Sequence, residues 1–223
     1  MTYRKQNDPE TAKEARVTYQ NDLELYEKNK STYEREMENL RTDIANQQEY
    51  LDHSIWINMS PYDVCEARAD LFVSTGYQIM PGMEYQNRDN TDTILQAYQS
   101  LLTSSAVLED VAKQVKTEPR YLEELVEVTI GANQDGQLNR MLTIDVKHTT
   151  KEEAKEVLDA FLAHVDDMHD RISTSIGEHT VSIVNESVSA LVNLDLAELQ
   201  RQQTEKLTTL NDSLQTKQIA YDE

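Results

Sequence analysis

The residues best suited to metal chemistry lie in one short run, HVDDMHD, from His164 to Asp170. Imidazole nitrogens and carboxylate oxygens are common metal ligands, but a metal ion needs ligands that aim at one point. On a helix the polar side chains divide between two flanks: His164, Asp167 and Arg171 on one, and Asp166, His169 and Asp170 on the other. Because Val165 and Met168 turn inward between these flanks, the pattern favours a solvated acidic helix face over a metal site.

Cys65 is the single cysteine of the chain, which excludes an intramolecular disulfide and a CxxC metal site. A cysteine nucleophile needs an activating base, and the neighbouring sequence supplies none, so we expect Cys65 to be a small buried hydrophobic residue. The chain also lacks GxSxG, GxxxxGK and GxGxxG motifs. The sequence therefore predicts no catalytic, cofactor-binding or metal-binding residues, and a protein that is not an enzyme.

Aromatic side chains are the remaining candidates for a binding site. Tyr19, Tyr26 and Tyr33 follow heptad spacing, which is typical of side chains that pack against a partner helix rather than bind a ligand. Trp56 is expected to be half-buried at the junction between a terminal helix and the middle of the chain, where its amphipathic ring fits. Exposure of Trp56 near a membrane surface is the alternative.

The composition narrows the classes of partner. The 223 residues carry a formal net charge of −20, and only 38% of them are hydrophobic. An acidic surface repels phosphate backbones, which argues against nucleic-acid binding. It is also repelled by anionic lipid headgroups. No apolar run reaches the roughly 18 residues that a transmembrane helix needs.

Two long polar helices are predicted at the ends of the chain, the first capped by Asp8 with Pro9 in its first turn. Hydrophobic residues recur there at alternating spacings of four and three: Tyr19, Leu23, Tyr26, Tyr33, Met37, Leu40, Ile44 and Leu51. A second stripe comprises Leu196, Leu199, Leu207, Leu210, Leu214 and Tyr221. Polar residues interrupt the two seams at Lys30, Gln47, Gln203 and Lys217. The heptads predict a long antiparallel coiled-coil stalk of two helices matched in length.

The middle of the chain differs in its hydrophobic period. Alternating or apolar runs predict strands near 66–74, 126–130, 142–146 and 179–185. A loop that contains Gly and Pro is predicted at 76–92, and a polar loop at 131–137. Helices are predicted between them, including two over 93–115 that are split at Thr103–Ser105, and a short one from Pro119. Thr150 and Glu153 form a capping box for a long amphipathic helix.

These patterns together predict an α+β fold, with a small sheet domain of about four strands and packed helices between the two stalk helices. The corresponding domain limits are residues 1–52 for the first coiled-coil helix, 53–190 for the sheet domain, and 191–223 for the second coiled-coil helix.

The order and spacing of these motifs resemble the chain-length determinant (Wzz-type) polysaccharide co-polymerase family. The resemblance covers about residues 67–186. It rests on an S-x-x-V-L-x-x-V helix in LLTSSAVLEDVAKQV and an I-x-V strand at 144–146. An alanine-rich helix then opens at TTKEEAKEVLDAFLAHV, and VSIVNES forms a closing strand.

The resemblance implies a non-catalytic extracytoplasmic domain that lies between two membrane helices of a longer bacterial protein. Family members form oligomers in the cytoplasmic membrane and regulate the chain length or export of O-antigen, capsule or exopolysaccharide. The implied partners are further copies of the chain, a polysaccharide polymerase or a cytoplasmic tyrosine kinase reached through the membrane segments, and polysaccharide itself.

Two alternatives stay open from the sequence. The first is a cytoplasmic coiled-coil adaptor or scaffold whose sheet domain binds another protein. The second is a metal-dependent enzyme or hydrolase that uses the 164–170 cluster, which would bind metal and lose stability on chelation.

Overall fold

The computed structural model describes residues 9–75, 89–133, 136 and 138–222. The predicted cap at Asp8 and most of the predicted loop at 76–92 lie outside these ranges. The helices are α1 Pro9–His53, α2 Ile55–Asn58, α3 Thr91–Leu102, α4 Ser105–Val115, α5 Pro119–Glu123, α6 Lys151–Ser175 and α7 Leu194–Asp222. The strands are β1 Val64–Thr75, β2 Val126–Ala132, β3 Leu138–His148 and β4 His179–Leu191.

The chain divides into two compact units. One, the helical unit, consists of the described residues of Met1–Leu51 together with Arg201–Glu223, and the other, the sheet unit, is Asp52–Gln200. The α+β fold class and the four-stranded antiparallel sheet are confirmed, as are the two long terminal helices.

In the helical unit, α1 and α7 meet through polar side chains that run antiparallel. Gln47 Nε2 donates to Gln203 Oε1 over 3.0 Å, so two of the predicted polar seam residues contact each other. Toward the end of α7, Lys217 Nζ lies 2.5 Å from Glu36 Oε2, and the Tyr221 hydroxyl donates to Glu34 over 2.9 Å. A buried polar pair in a helix seam helps to set register. The coiled-coil stalk stays a prediction, which these contacts support.

The predicted match in helix length is wrong. The α1 helix has 45 residues and α7 has 29. Tyr221 of α7 contacts Glu34 and Lys30 of α1. Tyr19 and Tyr26, earlier in α1 and expected to pack, are 68% and 63% exposed. Tyr33 is half-buried, and Lys217 Nζ lies 5.4 Å from the centre of its ring. The heptad pattern of α1 was visible in the sequence, whereas the extent of its partner was not.

The sheet unit has strand order β2-β3-β1-β4, and every neighbouring pair is antiparallel. The core lies on one face, where alternate residues of β1 meet α3 and α6. Ala67, Ala69 and Leu71 are at most 1% exposed on this helix-covered face. The intervening residues of β1 point to the opposite face of the sheet, because side chains alternate along a strand. We call that second surface the open face.

The long helix α6 begins at the predicted capping box. Thr150 Oγ1 accepts a hydrogen bond from Glu153 N over 3.2 Å, as expected of an N-cap. The Glu153 carboxylate accepts from the Thr149 and Thr150 hydroxyls at 2.7 and 2.8 Å. The helix pair split at Thr103–Ser105 is also confirmed. There the Ser104 hydroxyl donates to the Leu101 carbonyl instead of capping α4.

Candidate functional site

The open face of the sheet carries a connected set of polar side chains from strands β1, β3 and β4. Antiparallel register sets Arg68 opposite Asp145 and Asp70 opposite Thr143 on strands β1 and β3. Asn185 on β4 stands opposite Asp70 on its other side. Three strands therefore bring complementary donors and acceptors to one place on the open face, where Thr143 is 6% exposed and Arg68 is 42% exposed.

Asp70 is the centre of this network. Its carboxylate accepts from the Thr143 hydroxyl at 2.7 Å, from Asn185 Nδ2 at 3.0 Å and from Arg68 Nε at 3.1 Å. Burial raises the pKa of Asp70, but the hydrogen bonds from Asn185 and Thr143 and the charge of Arg68 outweigh burial and hold the pKa below its ordinary value. Asp70 is thus a fixed acceptor and not a proton donor at neutral pH.

Asp145 is less well stabilised by hydrogen bonds than Asp70. Its side chain is 14% exposed, and Arg68 Nη1 lies 3.5 Å from Oδ1. Among the described residues, Oδ1 accepts no hydrogen bond. Burial raises the pKa of Asp145, Arg68 opposes the rise, and the nearby charge of Glu66 adds to it. The open face therefore holds two aspartates whose pKa values shift in opposite directions.

These shifts predict opposite effects for two matched substitutions. Asp70→Asn is expected to lower the free energy of unfolding at neutral pH by about 1–2 kcal/mol, because it replaces a charged acceptor of three hydrogen bonds. The stability that Asp70 contributes is present above its unfolded pKa and is lost as pH falls through its lower folded pKa. Asp145→Asn is expected to leave stability unchanged or raise it at neutral pH, because a carboxyl pKa that is raised in the folded state means that the ionised form destabilises the fold above that pKa.

Urea unfolding of both variants from pH 3 to pH 8 is the measurement. Asp70→Asn should remove part of the acid-induced loss of stability, and Asp145→Asn should not. Equal destabilisation by both substitutions at neutral pH would contradict the assignment of Asp70 as the centre of the network.

Trp56 borders this surface. Its ring is half-buried and packs against a small cluster that contains Met59, Val64, Leu125 and Leu196. Lys147 Nζ lies 5.7 Å from the centre of the Trp56 ring and 3.9 Å from Glu127 Oε2. The half-buried environment agrees with the expected one. The Trp56 ring and the charged side chains of Lys147 and Glu127 therefore form a border of apolar and polar groups beside the Arg68–Asp145 pair.

Cys65 is buried, as expected, at 6% exposure. The structure also places His148 directly opposite it in the β1–β3 ladder, a pairing 83 residues apart in sequence that local inspection missed. The two side chains form no hydrogen bond with each other within the described structure. His148 Nδ1 instead lies 2.8 Å from Glu153 Oε2 and 3.2 Å from the Thr149 hydroxyl. The histidine therefore supports the start of α6.

The 164–170 cluster is divided as the helix pattern indicates. His169 Nε2 donates to the His179 carbonyl over 3.0 Å, whereas His164 Nε2 is buried without a hydrogen bond in the described residues. Asp166 and Asp167 are exposed. Over the described ranges, no group of three or more His, Cys, Asp or Glu side chains is arranged to hold a metal ion.

The buried Tyr98–His179 pair is a polar contact that the sequence did not predict. The Tyr98 hydroxyl and His179 Nε2 are 2.8 Å apart, and His179 Nδ1 is 3.0 Å from the Gly177 carbonyl. A carbonyl only accepts, so Nδ1 donates to the Gly177 carbonyl, while Nε2 and the Tyr98 hydroxyl form the second hydrogen bond of the ring. Tyr98 is fully buried and His179 is 5% exposed, so this pair joins α3 to the start of β4 and is not open to a ligand.

No described helix combines the length and apolar character needed to cross a membrane. In comparisons with known proteins, no family model and no curated protein matches the chain.

Proposed function

We propose that the sheet unit is the non-catalytic extracytoplasmic part of a membrane-anchored bacterial protein that regulates the chain length or export of a polysaccharide. The observation that carries the proposal is the path of the chain. Gln200 Nε2 donates to the carbonyls of Ile57 and Met59, each over 2.8 Å, so the two ends of the sheet unit lie side by side. A domain held between two membrane helices needs both of its ends to return to one surface.

The helical unit supports the same proposal. The contacts from Gln47–Gln203 to Glu34–Tyr221 run antiparallel, so α1 and α7 bring the described ends of the chain toward one side. The order β1, α3 to α5, β2, β3, α6, β4 also agrees with the order of motifs on which the family resemblance rests. Partners in this account are other copies of the chain and a polymerase or cytoplasmic tyrosine kinase reached through membrane segments.

A binding role suits the chemistry of the open face. Arg68 is 42% exposed and keeps donors toward solvent, while Asp70 fixes the guanidinium in place. The charged and amide side chains beside the half-buried Trp56 can form hydrogen bonds with the hydroxyl groups of a polysaccharide that lies on the surface of the sheet. We place polysaccharide contact on this face.

A cytoplasmic adaptor is the second candidate, and one observation favours it. Tyr19, Leu23 and Tyr26 form an exposed heptad stripe on α1, and such a stripe is typical of a helix that binds a partner helix. The first candidate function puts the sheet unit outside the cytoplasmic membrane, and the second puts it in the cytoplasm.

Accessibility labelling distinguishes them. Tyr62 is 72% exposed, whereas the native Cys65 is 6% exposed and serves as an internal negative control. In spheroplasts that express the full-length gene, Tyr62→Cys should react with a membrane-impermeant maleimide, and the unsubstituted protein should not. Reaction of Tyr62→Cys only after lysis would reject the extracytoplasmic proposal and favour the adaptor.

A further inference from the structure

A small cavity lies in the sheet unit where the ends of α4 and β3 meet α5 and the start of α6. Its volume is about 270 Å³. At about 30 Å³ for each water molecule, this space corresponds to about nine waters, or to a ligand of on the order of ten non-hydrogen atoms. The cavity therefore has room for a small molecule and not for a polymer.

Half of the lining residues are aliphatic. They are Ile55, Val115, Leu122, Leu125 and Val157, of which the last three are at most 2% exposed. None of the described lining residues is Phe, Tyr or Trp. Aliphatic walls favour a ligand with a short hydrocarbon group, because contact removes apolar surface from water.

Donor groups line the cavity at the turn between α4 and α5. Lys116 is the C-cap of α4 with a φ of 58°, a left-handed conformation that glycine or asparagine usually occupies. Lysine is therefore strained at this position, and residues held in this conformation cluster at ligand sites. Among the described residues the Lys116 ammonium group forms no ion pair, and the Thr117 hydroxyl forms no hydrogen bond. Both groups are available to a ligand.

Acceptor groups line the cavity at the end of β3 and in the first two turns of α6. His148 Nδ1 lies 2.8 Å from Glu153 Oε2, which also accepts from the Thr149 and Thr150 hydroxyls. Those two hydrogen bonds hold the pKa of Glu153 below its ordinary value, so its carboxylate is ionised at neutral pH. Within the described ranges, the other carboxylate oxygen of Glu153 and both oxygens of Glu156 have no partner.

The charges around the cavity indicate which small molecule fits. One part of the lining offers a cation and a hydroxyl, another offers two carboxylates, and the rest is aliphatic. A ligand with a single charge would meet a like charge in one of the two polar parts. A free amino acid instead carries a carboxylate, an ammonium group and a side chain, one for each part of the lining. Hydrogen bonds between ionised groups are the stronger ones and fix orientation.

We propose that this cavity binds a free α-amino acid with an aliphatic side chain. Lys116 and Thr117 bind its carboxylate, and Glu153 and Glu156 bind its ammonium group. The ligand thereby connects the α4–α5 turn to the start of α6. This inference does not depend on the polysaccharide function proposed above, and it uses none of the residues of the Asp70 network.

NMR titration of the purified chain with L-valine, L-leucine and L-isoleucine in turn is the first test. Each is added up to about 10 mM, which nearly saturates a site with a dissociation constant of about 1 mM. The expected result is saturable shifts in the backbone amide signals of the lining residues. Isocaproate, which lacks the ammonium group, and L-leucinamide, which lacks the carboxylate, should each bind at least about tenfold more weakly than L-leucine. No saturable shift with any of the three amino acids, or equal binding of either analogue or of methyl α-glucoside, overturns the proposal.

Lys116→Gly separates binding from folding. The substitution should raise the dissociation constant for L-leucine at least about tenfold, because it removes the charge that binds the carboxylate. The chain should unfold at the same temperature as before or at a higher one, because glycine is preferred at this left-handed position. The matched control is Lys113→Ala, which removes a positive charge from the exposed side of the same helix, where Lys113 pairs with Asp110. Equal weakening of L-leucine binding by both substitutions would refute the site.

Glu156→Gln keeps the proposal falsifiable if Lys116→Gly alters the α4–α5 turn. Glu156 is exposed, so we expect the variant to fold and its dissociation constant for L-leucine to rise at least about fivefold. Glu152→Gln is the control, because Glu152 is equally an exposed residue of α6 but does not line the cavity. If the two variants bind L-leucine equally well, the ammonium group is not held by Glu156 and the proposal fails. Polymer length enters none of these readouts, so failure here and failure of the proposed function are separate results.

Discussion

Phe161→Ala is expected to lower the free energy of unfolding by about 3–5 kcal/mol, because it empties a fully buried aromatic site in α6. Phe161 has no exposed surface and belongs to the core that α3, α4 and α6 form with one face of the sheet. The loss combines the transfer free energy of the ring with the cavity that remains, since the surrounding backbone of sheet and helix cannot collapse fully.

The only other phenylalanine provides a matched control. Phe72 is on β1 but points to the open face, where it is half-buried opposite Met141 and Ser182. Phe72→Ala should cost about 1 kcal/mol, because part of its ring is already in water. Urea unfolding followed by circular dichroism measures both variants. If Phe72→Ala costs as much as Phe161→Ala, the second face of the sheet is not open, and the binding surface assigned to it is wrong.

Tyr98→Phe is expected to lower the free energy of unfolding by about 2 kcal/mol, because it removes the hydroxyl that is hydrogen-bonded to the buried His179 Nε2. The double variant Tyr98→Phe/His179→Leu should recover part of the loss, since an apolar pair has no unmet hydrogen bond. Destabilisation by the double variant equal to the sum of both single variants would show that the pair is not coupled.

The same substitution predicts a change at alkaline pH. Burial, with a contribution from the charge of Asp166, raises the pKa of Tyr98 to about 12. For a group that loses a proton, a raised folded pKa gives stability that is complete below the ordinary tyrosine pKa of 10.0 and is lost as pH rises toward 12. Tyr98→Phe should therefore flatten the fall in stability between these two pH values. An unchanged alkaline transition would contradict the buried hydrogen-bonded hydroxyl.

The fold class was predictable because local patterns dominate it. Period-two alternation in 126–130 and 142–146 defined the hairpin, and the Thr150–Glu153 cap defined the start of α6. The second half of β4, from Glu186 to Leu191, lay outside the predicted strand at 179–185. Val188 and Ala190 alternate there with serines, but residues 186–190 are exposed, so pairing with β1 and not burial specifies this part of the strand.

The candidate site was predictable only in part, because its contacts are long-range. Arg68 and Asp70 were visible as alternate polar residues of a strand, but their partners depend on strand register that no local motif encodes. Thr143 is 73 residues from Asp70, and Asn185 is 115 residues away. The contact between Tyr98 and His179 was not predicted for the same reason, because the two residues are 81 positions apart. The division of the 164–170 cluster, in contrast, follows from helical periodicity within seven residues.

The measurement that tests the central claim most directly is the length distribution of surface polysaccharide in cells of the native host that lack this gene. Electrophoresis of polymer from the deleted strain should show that the preferred chain length is lost or shifted while the sugar composition is unchanged. The intact gene should restore the original distribution. An unchanged length distribution and an unchanged amount of exported polymer in the deleted strain would contradict the proposed role in polysaccharide regulation.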